Sequence, residues 1–501
     1  MPADDLAMTK DRAAREREIL EESWMALEEH VRERHWRGYD PDDALRSPLL
    51  GRLPGRWIRR SAASLARQLP FNPRAALLYR PISDPQSLSL FLRGYLRRAA
   101  SERDKKKGAE AGYRVAETFA LLRSQPTVRA TGPFSWGYPF PWQGRRVRAE
   151  AYEPNSLCAS FAGQAMLDLA EGRAPEGAPP IPRPRLLTGN LPEDGEDLRL
   201  QALKFAWQTA VHVLRLHPSL RTEEGLIFYF VSADREEVIH ASLPLAAFVA
   251  RMGRVAQRRA GTDLAAECEA LAKRADDVET RHRLTRPWRG GSLASECWEA
   301  AANAALFAIR RQDPQGFWLA PGGAPGRPRR SVWSFQMGSN LVALKQLRSE
   351  LWESRELARR LDDWKDRSRV EEFFVRLDHA LAQGWQDYRA RFFAPGQMVR
   401  FGEDLRGPLD SHAVARSALA LAAFGEVEAG REQLIRLIAQ MQDAREGIFY
   451  YQRNIRGKVN RVEYMRWTQA WVFWALAGLL AYTDAPGASV EPAREVAESR
   501  A

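Results

Sequence analysis

Four times along the 501-residue chain, a stretch with helical spacing gives way to a loop in which a glycine is followed, after at most two residues, by aromatic side chains. The copies are Gly132-Pro-Phe-Ser-Trp-Gly-Tyr138, Gly225-Leu-Ile-Phe-Tyr-Phe230, Gly316-Phe-Trp318 and Gly447-Ile-Phe-Tyr-Tyr451. Their first glycines lie 93, 91 and 131 residues apart, which leaves room for more than one helical hairpin between successive copies. Recurrence over such distances marks a fold built by stacking supersecondary units. Glycine supplies the positive φ that stops a helix, and the rings behind it can line a shared central face. The expected architecture is all-α, a single-domain α/α toroid of about six hairpins. An open superhelical solenoid is the alternative that the same pattern permits, although tetratricopeptide spacing is absent.

The intervening segments read as helix after helix. Apolar residues recur at helical spacing over 5–37, 87–99, 198–216, 243–258, 293–310, 370–389 and 411–424, and few stretches alternate like strands. Proline and glycine gather between them, at 175–184, 321–328 and 486–492. No Gly/Ser linker divides the chain. The expected division is a helical extension over 1–37, the toroid over 38–482 and a frayed tail over 483–501.

Composition sets the function classes aside one by one. Hydrophobic residues at 45% and charged residues at 28% are those of a globular protein with a sizeable core. Residues 1–19 are charged throughout and lack the apolar centre of a secretory signal, so a cytoplasmic protein is expected, with peripheral contact at the inner membrane compatible with its charge. The longest apolar run, 470–482, falls short of the roughly 20 residues a spanning helix needs, so no transmembrane segment is expected. Cys158, Cys268 and Cys297 are too widely spaced for a disulfide framework or zinc cluster, and with no ligand set at metal spacing no cofactor is expected. The net charge of +11 comes largely from arginines spread along the chain, without the concentrated stripe and binding module that nucleic acid requires. An anionic glycan, a nucleotide-sugar phosphate or an acidic membrane surface suits that charge equally. Walker loop, Rossmann fingerprint, zincin helix and nucleophile elbow are all missing.

Three segments carry side chains suited to a sugar site. Sixteen tryptophans are many for this length, and flat apolar rings beside polar groups suit carbohydrate, though ordinary burial claims most such rings. The loop 135–143 presents Trp136, Tyr138, Trp142 and Gln143 between prolines, and Asn155 and Ser156 then open a helix, where they either cap it or meet a hydroxyl-rich ligand. The segment 401–412 clusters Glu403, Asp404, Asp410 and His412 before an apolar helix. Such groups can supply the proton donor and acceptor of glycan cleavage or epimerisation, while Asp410 or Ser411 can equally serve as a cap. The segment 464–474 places Arg466 and Trp467 in a polar turn ahead of an apolar helix, with Tyr450 and Tyr451 as a further wall. Arg466 suits a ligand carboxylate or phosphate, or else a salt bridge to Glu463 or a nearby acid.

The combination of SWGYPFPWQ, PNSLCASFAGQAMLD, MQDAREGIFYYQ and YMRWTQAWVFWAL, with RGYDPDDAL and DPQSLSLFLRGYL before them, resembles a family of uncharacterised bacterial polysaccharide-biosynthesis proteins, from Gly38 to Tyr482. The resemblance implies an α/α toroid, related in architecture to sugar epimerases, glycoside hydrolases and polysaccharide lyases, and a place in exopolysaccharide production. Asp410 and His412 match an Asp-x-His of that family. The chain departs from it at Trp333-Ser-Phe-Gln336, where an acid and a histidine precede the Gly-x-Asn-Leu turn in the family, and at Pro141, where an aspartate is common.

The leading expectation is therefore a carbohydrate-active protein, a glycan hydrolase, lyase or sugar epimerase. Asp410 and His412 would be its acid–base pair, with Glu403 or Glu463 assisting, and Trp136, Tyr138, Trp142, Gln143, Asn155, Gln336, Asn340, Tyr450, Tyr451, Arg466 and Trp467 would hold a glycan, lipid-linked or nucleotide-sugar ligand. The alternative is a non-catalytic glycan-binding or scaffold protein working with exopolysaccharide assembly proteins, favoured by the missing acid and histidine. An isoprenoid cyclase or prenyltransferase is a third reading, without a convincing Asp-rich motif.

Overall fold

The computed structural model describes residues 3–69, 72–101, 104–125, 127, 133–144, 147–172, 197–231, 236–279, 292–318, 332–353, 367–403 and 407–483. Gly132, Asp404, the proline-rich segments 175–184, 321–328 and 486–492, and the tail from residue 484 lie outside the described residues.

Among the described residues there are fourteen α-helices: α1 (Ala3–Glu33), α2 (Arg56–Gln68), α3 (Pro85–Ser101), α4 (Lys105–Arg123), α5 (Ser156–Glu171), α6 (Leu198–Arg215), α7 (Ile239–Arg258), α8 (Asp263–Glu279), α9 (Leu293–Arg311), α10 (Ser334–Glu353), α11 (Arg367–Phe392), α12 (Ser411–Ala423), α13 (Val427–Met441) and α14 (Ala470–Thr483). Six of them close a circle. α3 packs on α5, α5 on α7, α7 on α10, α10 on α12, α12 on α14, and α14 returns to α3. Each ring helix is backed by an outer partner: α4 behind α3, α6 behind α5, α9 behind α7, α11 behind α10, α13 behind α12. The sixth outer partner is α1, which packs on α14 and α13, so the first helix of the chain completes the hairpin of the last. This is an α/α toroid of six hairpins, as expected, and the closed circle excludes the open solenoid.

The division into inner and outer helices follows from side-chain pattern. A helix apolar around its circumference must be covered on all sides. The α14 sequence AWVFWALAGLLAYT carries no charge, and α5 buries its sequence from Ser156 through Leu169 apart from Leu157. The outer α13, by contrast, buries Leu434, Leu437 and Met441 and leaves Glu432 and Arg436 to pair on its exposed side. One start differs from expectation. α7 begins at Ile239 rather than Leu243, with Pro244 inside the helix, where the missing N–H gives up one bond near the helix start without ending it.

The repeated glycines are confirmed in conformation at Gly225 (φ +131°), Gly316 (φ +86°) and Gly447 (φ +71°), but two of them do a different job from stopping helices. α9 and α13 end five to six residues earlier, and the glycine closes a turn whose oxygen is held by the helix-terminal glutamine: Gln312 Nε2 donates to the Gly316 carbonyl and Gln442 Nε2 to that of Gly447, both at 2.9 Å. Asp313 and Asp443 accept backbone N–H groups inside the two turns. Gly225 instead opens strand β2 of a hairpin, β1 (Ser219–Thr222) with β2 (Gly225–Phe228). A Cβ at Gly225 would lie 2.4 Å from the Asn303 carbonyl oxygen in α9, and one at Gly447 2.5 Å from that of Ala26 in α1, so both turns seat directly on the backbone of an outer helix.

Candidate functional site

The segments that lead into the ring helices, and the helices' first turns, meet at one end of the toroid and touch around a full circle. From α3, Gln86 accepts from the Tyr138 hydroxyl in the loop before α5. The first amide of α5, Ser156, donates to Phe230 ahead of α7. His240 of α7 lies 3.4 Å from Gln336 of α10. Phe335 of α10 packs on His412 of α12 with ring centres 4.7 Å apart, and His412 on Trp467 at 4.9 Å. Arg466 closes the circle at Tyr138 and Gln86. Arg466 and Trp467 sit on a π-helical turn, Met465–Gln469, that delivers the chain into α14. Such turns re-aim side chains that a regular helix would point elsewhere.

An aromatic belt crosses this mouth. Trp142 packs edge-on against Phe230 (5.2 Å), which packs on Tyr138 (6.2 Å). The Arg466 guanidinium lies over Tyr138 and beside Trp467, and beyond His412 come Phe335 and Trp333, stacked at 5.5 Å and 24°. Trp142 and Trp467 are half-buried, and Trp333 is 38% exposed. The belt and His412 thus share one face, with Trp142 joined to His412 by ring contacts bridged at the Arg466 guanidinium.

Asp410 is fully buried as the N-cap of α12. Its Oδ1 accepts from the Ala413 N–H at 2.7 Å and its Oδ2 from Gln452 Nε2 at 2.6 Å, across the pairing of β3 (Leu409–Asp410) with β4 (Gln452–Arg453). Burial pushes its carboxyl up to about 6 against these hydrogen bonds. His412 is driven the other way, well below its ordinary value, first by burial and then by the Arg416 and Arg466 charges. Its Nε2 lies 3.3 Å from Arg416 Nη1, so it accepts as the neutral imidazole. Burial, with Arg416, also holds His240 near 4.

The other predicted residues divide by environment. Glu463 is held by His30 of α1 (2.9 Å) and by Arg34 just beyond that helix (3.7 Å), and Glu403 by Arg391 of α11 (2.8 Å) at the surface. Neither carboxylate is bonded to Asp410 or His412. Trp136 is fully buried against Phe134 and Phe205 with its indole N–H on the Leu122 carbonyl; it is core, shut off from any ligand. Asn155 caps α5 through Cys158 N–H, and Gln143 is spent on Arg59 and on the Gly144 and Val147 carbonyls of its own hairpin. Tyr450 donates to Asp443, Tyr451 packs edge-on to Tyr464, and buried Asn340 keeps an unpartnered Oδ1. Arg466 makes a bidentate pair with Asp40, at 2.5 and 2.7 Å, where Glu463 had been the named acid. Sequence reasoning missed Asp40, Gln86, His240 and Arg416. The first two lie in the motifs RGYDPDDAL and DPQSLS, but nothing in those motifs ties them to Arg466; a lone histidine and a lone arginine on apolar helices give no signal. Among the described residues, no cluster of three or more His, Cys, Asp or Glu side chains is arranged for a metal ion.

No family model matches the chain, and no curated protein matches it. Solved structures do. An unsaturated glucuronyl hydrolase from Bacillus sp. GL1, responsible for the degradation of glycosaminoglycan, aligns over 80% of this chain and 87% of its own, with 13% identity and a TM-score of 0.38. A UGL complex with dGlcA-Glc-Rha-Glc aligns over the same shares with 12% identity and a TM-score of 0.41. A D-mannose isomerase aligns over 76% of this chain and 99% of its own, with 10% identity and a TM-score of 0.32. No helix among the described residues is long and apolar enough to cross a membrane.

Proposed function

We propose that this protein binds a carbohydrate chain across the mouth of the toroid, in the service of bacterial exopolysaccharide production. The observation that carries the reading is the aromatic belt from Trp142 to Trp333, in which Trp142, Trp467 and Trp333 reach solvent over buried Tyr138, Phe230 and Phe335, with polar groups at Arg466, His412 and Gln336 between them. Sugar rings present C–H faces that stack on indoles and hydroxyls that need donors and acceptors beside them, and the belt supplies both. The resemblance to polysaccharide-biosynthesis proteins supports the biological setting. Where those proteins carry an acid and a histidine, this chain places the stacked Trp333 and Phe335, which favours holding a glycan over cleaving it.

The test is binding of the producing strain's exopolysaccharide to wild type and to Trp333→Ala and Trp467→Ala. A loss of affinity of about tenfold or more in each variant is expected; wild-type affinity in both would overturn the reading.

A second reading, proton transfer by Asp410 in glycan cleavage or epimerisation, is favoured by one observation: its carboxyl is pushed up to about 6, within range of a general acid at neutral pH. Mass spectrometry of exopolysaccharide and its sugar precursors after incubation with wild type and Asp410→Asn decides it. A product formed by wild type alone supports catalysis; unchanged glycan in both leaves the binding reading standing and removes this one.

A further inference from the structure

Beyond the mouth, the ring helices enclose a cavity of about 430 Å³ on the toroid axis, lined by side chains of α3, α5, α7, α10, α12 and α14. Its lining includes Arg93 and Arg97 on α3, Arg251 and Arg254 on α7, Lys345 on α10 and Arg416 on α12. Most of this charge is answered. Asp168 binds Arg93 and Arg251, Glu171 binds Arg251 and Arg254, and Glu350 binds Arg254. Lys345 donates to the carbonyl of Ala423 at the end of α12, as a cation near a helix C-terminus should.

Two guanidinium groups are left over. Arg97 is 5% exposed and has neither a hydrogen bond nor an ion pair with any described residue. Arg416 has no acid in contact: it donates to His412 Nε2 and Ser339 Oγ and lies over the rings of Trp471 (4.4 Å) and Phe335 (5.4 Å), and its Nε is buried without a hydrogen-bond partner. Burial lowers both, Arg97 to about 10 and Arg416 to about 9. Asp168, already bound to Arg93 and Arg251, reaches Arg97 only as a charge at a distance. A desolvated cation with no acid in contact costs a protein stability, so a cavity lined by two of them favours an anionic ligand. Guanidinium forks match tetrahedral oxyanions in geometry, and the same wall offers Gln164, Gln346, Ser160 and Ser349 to hydroxyl groups.

We propose that this cavity binds the phosphoryl group of a phosphorylated sugar, with Arg97 as its anion contact. The site lies beyond the mouth and stands whether or not glycan binds there. The experiment is thermal denaturation and calorimetric titration of the full chain with inorganic phosphate, glucose 1-phosphate and glucose at low salt. Both phosphate probes should raise Tm, glucose 1-phosphate more than phosphate, and glucose should not. Arg97→Met should abolish the shift. Without ligand, this variant should melt no lower than wild type, because it removes an unpaired buried charge; a residue with a merely structural role would leave it less stable. Trp333→Ala at the mouth should keep the full phosphate response. Absence of any phosphate response in wild type, or an equal response in Arg97→Met, would overturn the proposal.

A different surface carries a second inference. α2 turns its alanine side inward, with Ala66 buried and Arg59 reaching Gln143 and the Leu53 carbonyl, and leaves Trp57, Ile58 and Leu65 outside at 61%, 53% and 63% exposure. Spacings of seven and eight residues put these three on one face, and Arg56, Arg60 and Arg67 flank it. Arg52, Arg56 and Arg60 have no acidic partner among the described residues. An outward apolar stripe edged with unpaired cations is the pattern of a helix lying on an anionic bilayer. We infer that α2 docks this protein on such a surface. The full chain should cosediment with phosphatidylglycerol/phosphatidylcholine vesicles and not with phosphatidylcholine alone, and W57S/I58S/L65S should lose that binding at least tenfold. Equal sedimentation of the triple variant, or a wild-type dimer that the variant dissolves, would overturn it, the latter in favour of a second copy as the occupant.

Discussion

Arg416 donates from Nη1 to His412 Nε2 across 3.3 Å and so ties the mouth of the toroid to the cavity beneath it. The hydrogen bond requires a neutral imidazole, and the guanidinium charge opposes its protonation, in line with the direction of the His412 shift. His412 thus accepts this hydrogen bond as the neutral imidazole, and both burial and the Arg416 charge oppose its becoming a proton donor. Arg416→Gln should raise the His412 pKa, read from its ring resonances in an NMR titration.

Arg466 and Asp40 are 426 positions apart in sequence and form a buried bidentate pair, with Tyr138 and Gln86 bonded to the same guanidinium. Removing one partner of such a pair strands the other charge, at a cost of about 3–5 kcal/mol. Asp40→Ala is expected to lose that much in urea denaturation. A double variant, Asp40→Ala with Arg466→Met, should recover only part of it: the stranded guanidinium is gone, but Asp42, which also meets Arg466 at 3.3 Å, is left with Arg67.

That pair also marks what could be read from sequence. Helical periodicity and the glycine–aromatic loops made the toroid legible, because both signals are local. The acid that meets Arg466 was not: ring closure brings the segment after α1 against the turn before α14, and nothing near Arg466 announces Asp40. Glu463, three residues away in sequence, is instead drawn off by His30 of α1. Trp136 looked like part of a ligand platform, yet the backbone bond from Asn155 N–H to its carbonyl belongs to a loop that folds its ring inward. Asp410 and His412 were found together in sequence and remain together at the mouth, but their partners Gln452 and Arg416 come from register and helix phase.

The Asp410 carboxyl gives stability a pH dependence of unusual sign. Its folded pKa of about 6 lies above the unfolded value near 3.8, so the folded state binds more protons between those values. Its contribution is present in full below about pH 4 and lost as pH rises through 6. Asp43, also pushed up to about 6 by burial, acts in the same direction. Asp410→Asn keeps an acceptor for the Ala413 N–H and has no charge to bury. It should flatten the fall in urea midpoint between pH 5 and pH 7 and match or exceed wild type at pH 7, by up to about 2 kcal/mol.

Gly447 tests whether the repeated turns hold the ring together. Its φ of +71° alone makes alanine unfavourable, by about 1 kcal/mol or more. The added Cβ would also lie 2.5 Å from the Ala26 carbonyl oxygen, backbone that cannot rotate away as a side-chain tip would. Relief requires either α1 to lift from the turn or the turn to withdraw toward the mouth, where Phe449 N–H donates to Gln469 and Tyr451 packs on Tyr464. Gly447→Ala should therefore lower stability by more than the backbone term, about 2–4 kcal/mol in all. Gly457, at φ +76° with open space around its Cβ position, isolates the backbone term: Gly457→Ala should cost only about 1 kcal/mol. Hydrogen exchange should then show faster opening of α1 in the Gly447 variant and not in the Gly457 variant. Equal losses in the two would mean that the contact with Ala26 contributes nothing and that α1 is held to the ring by its apolar face alone.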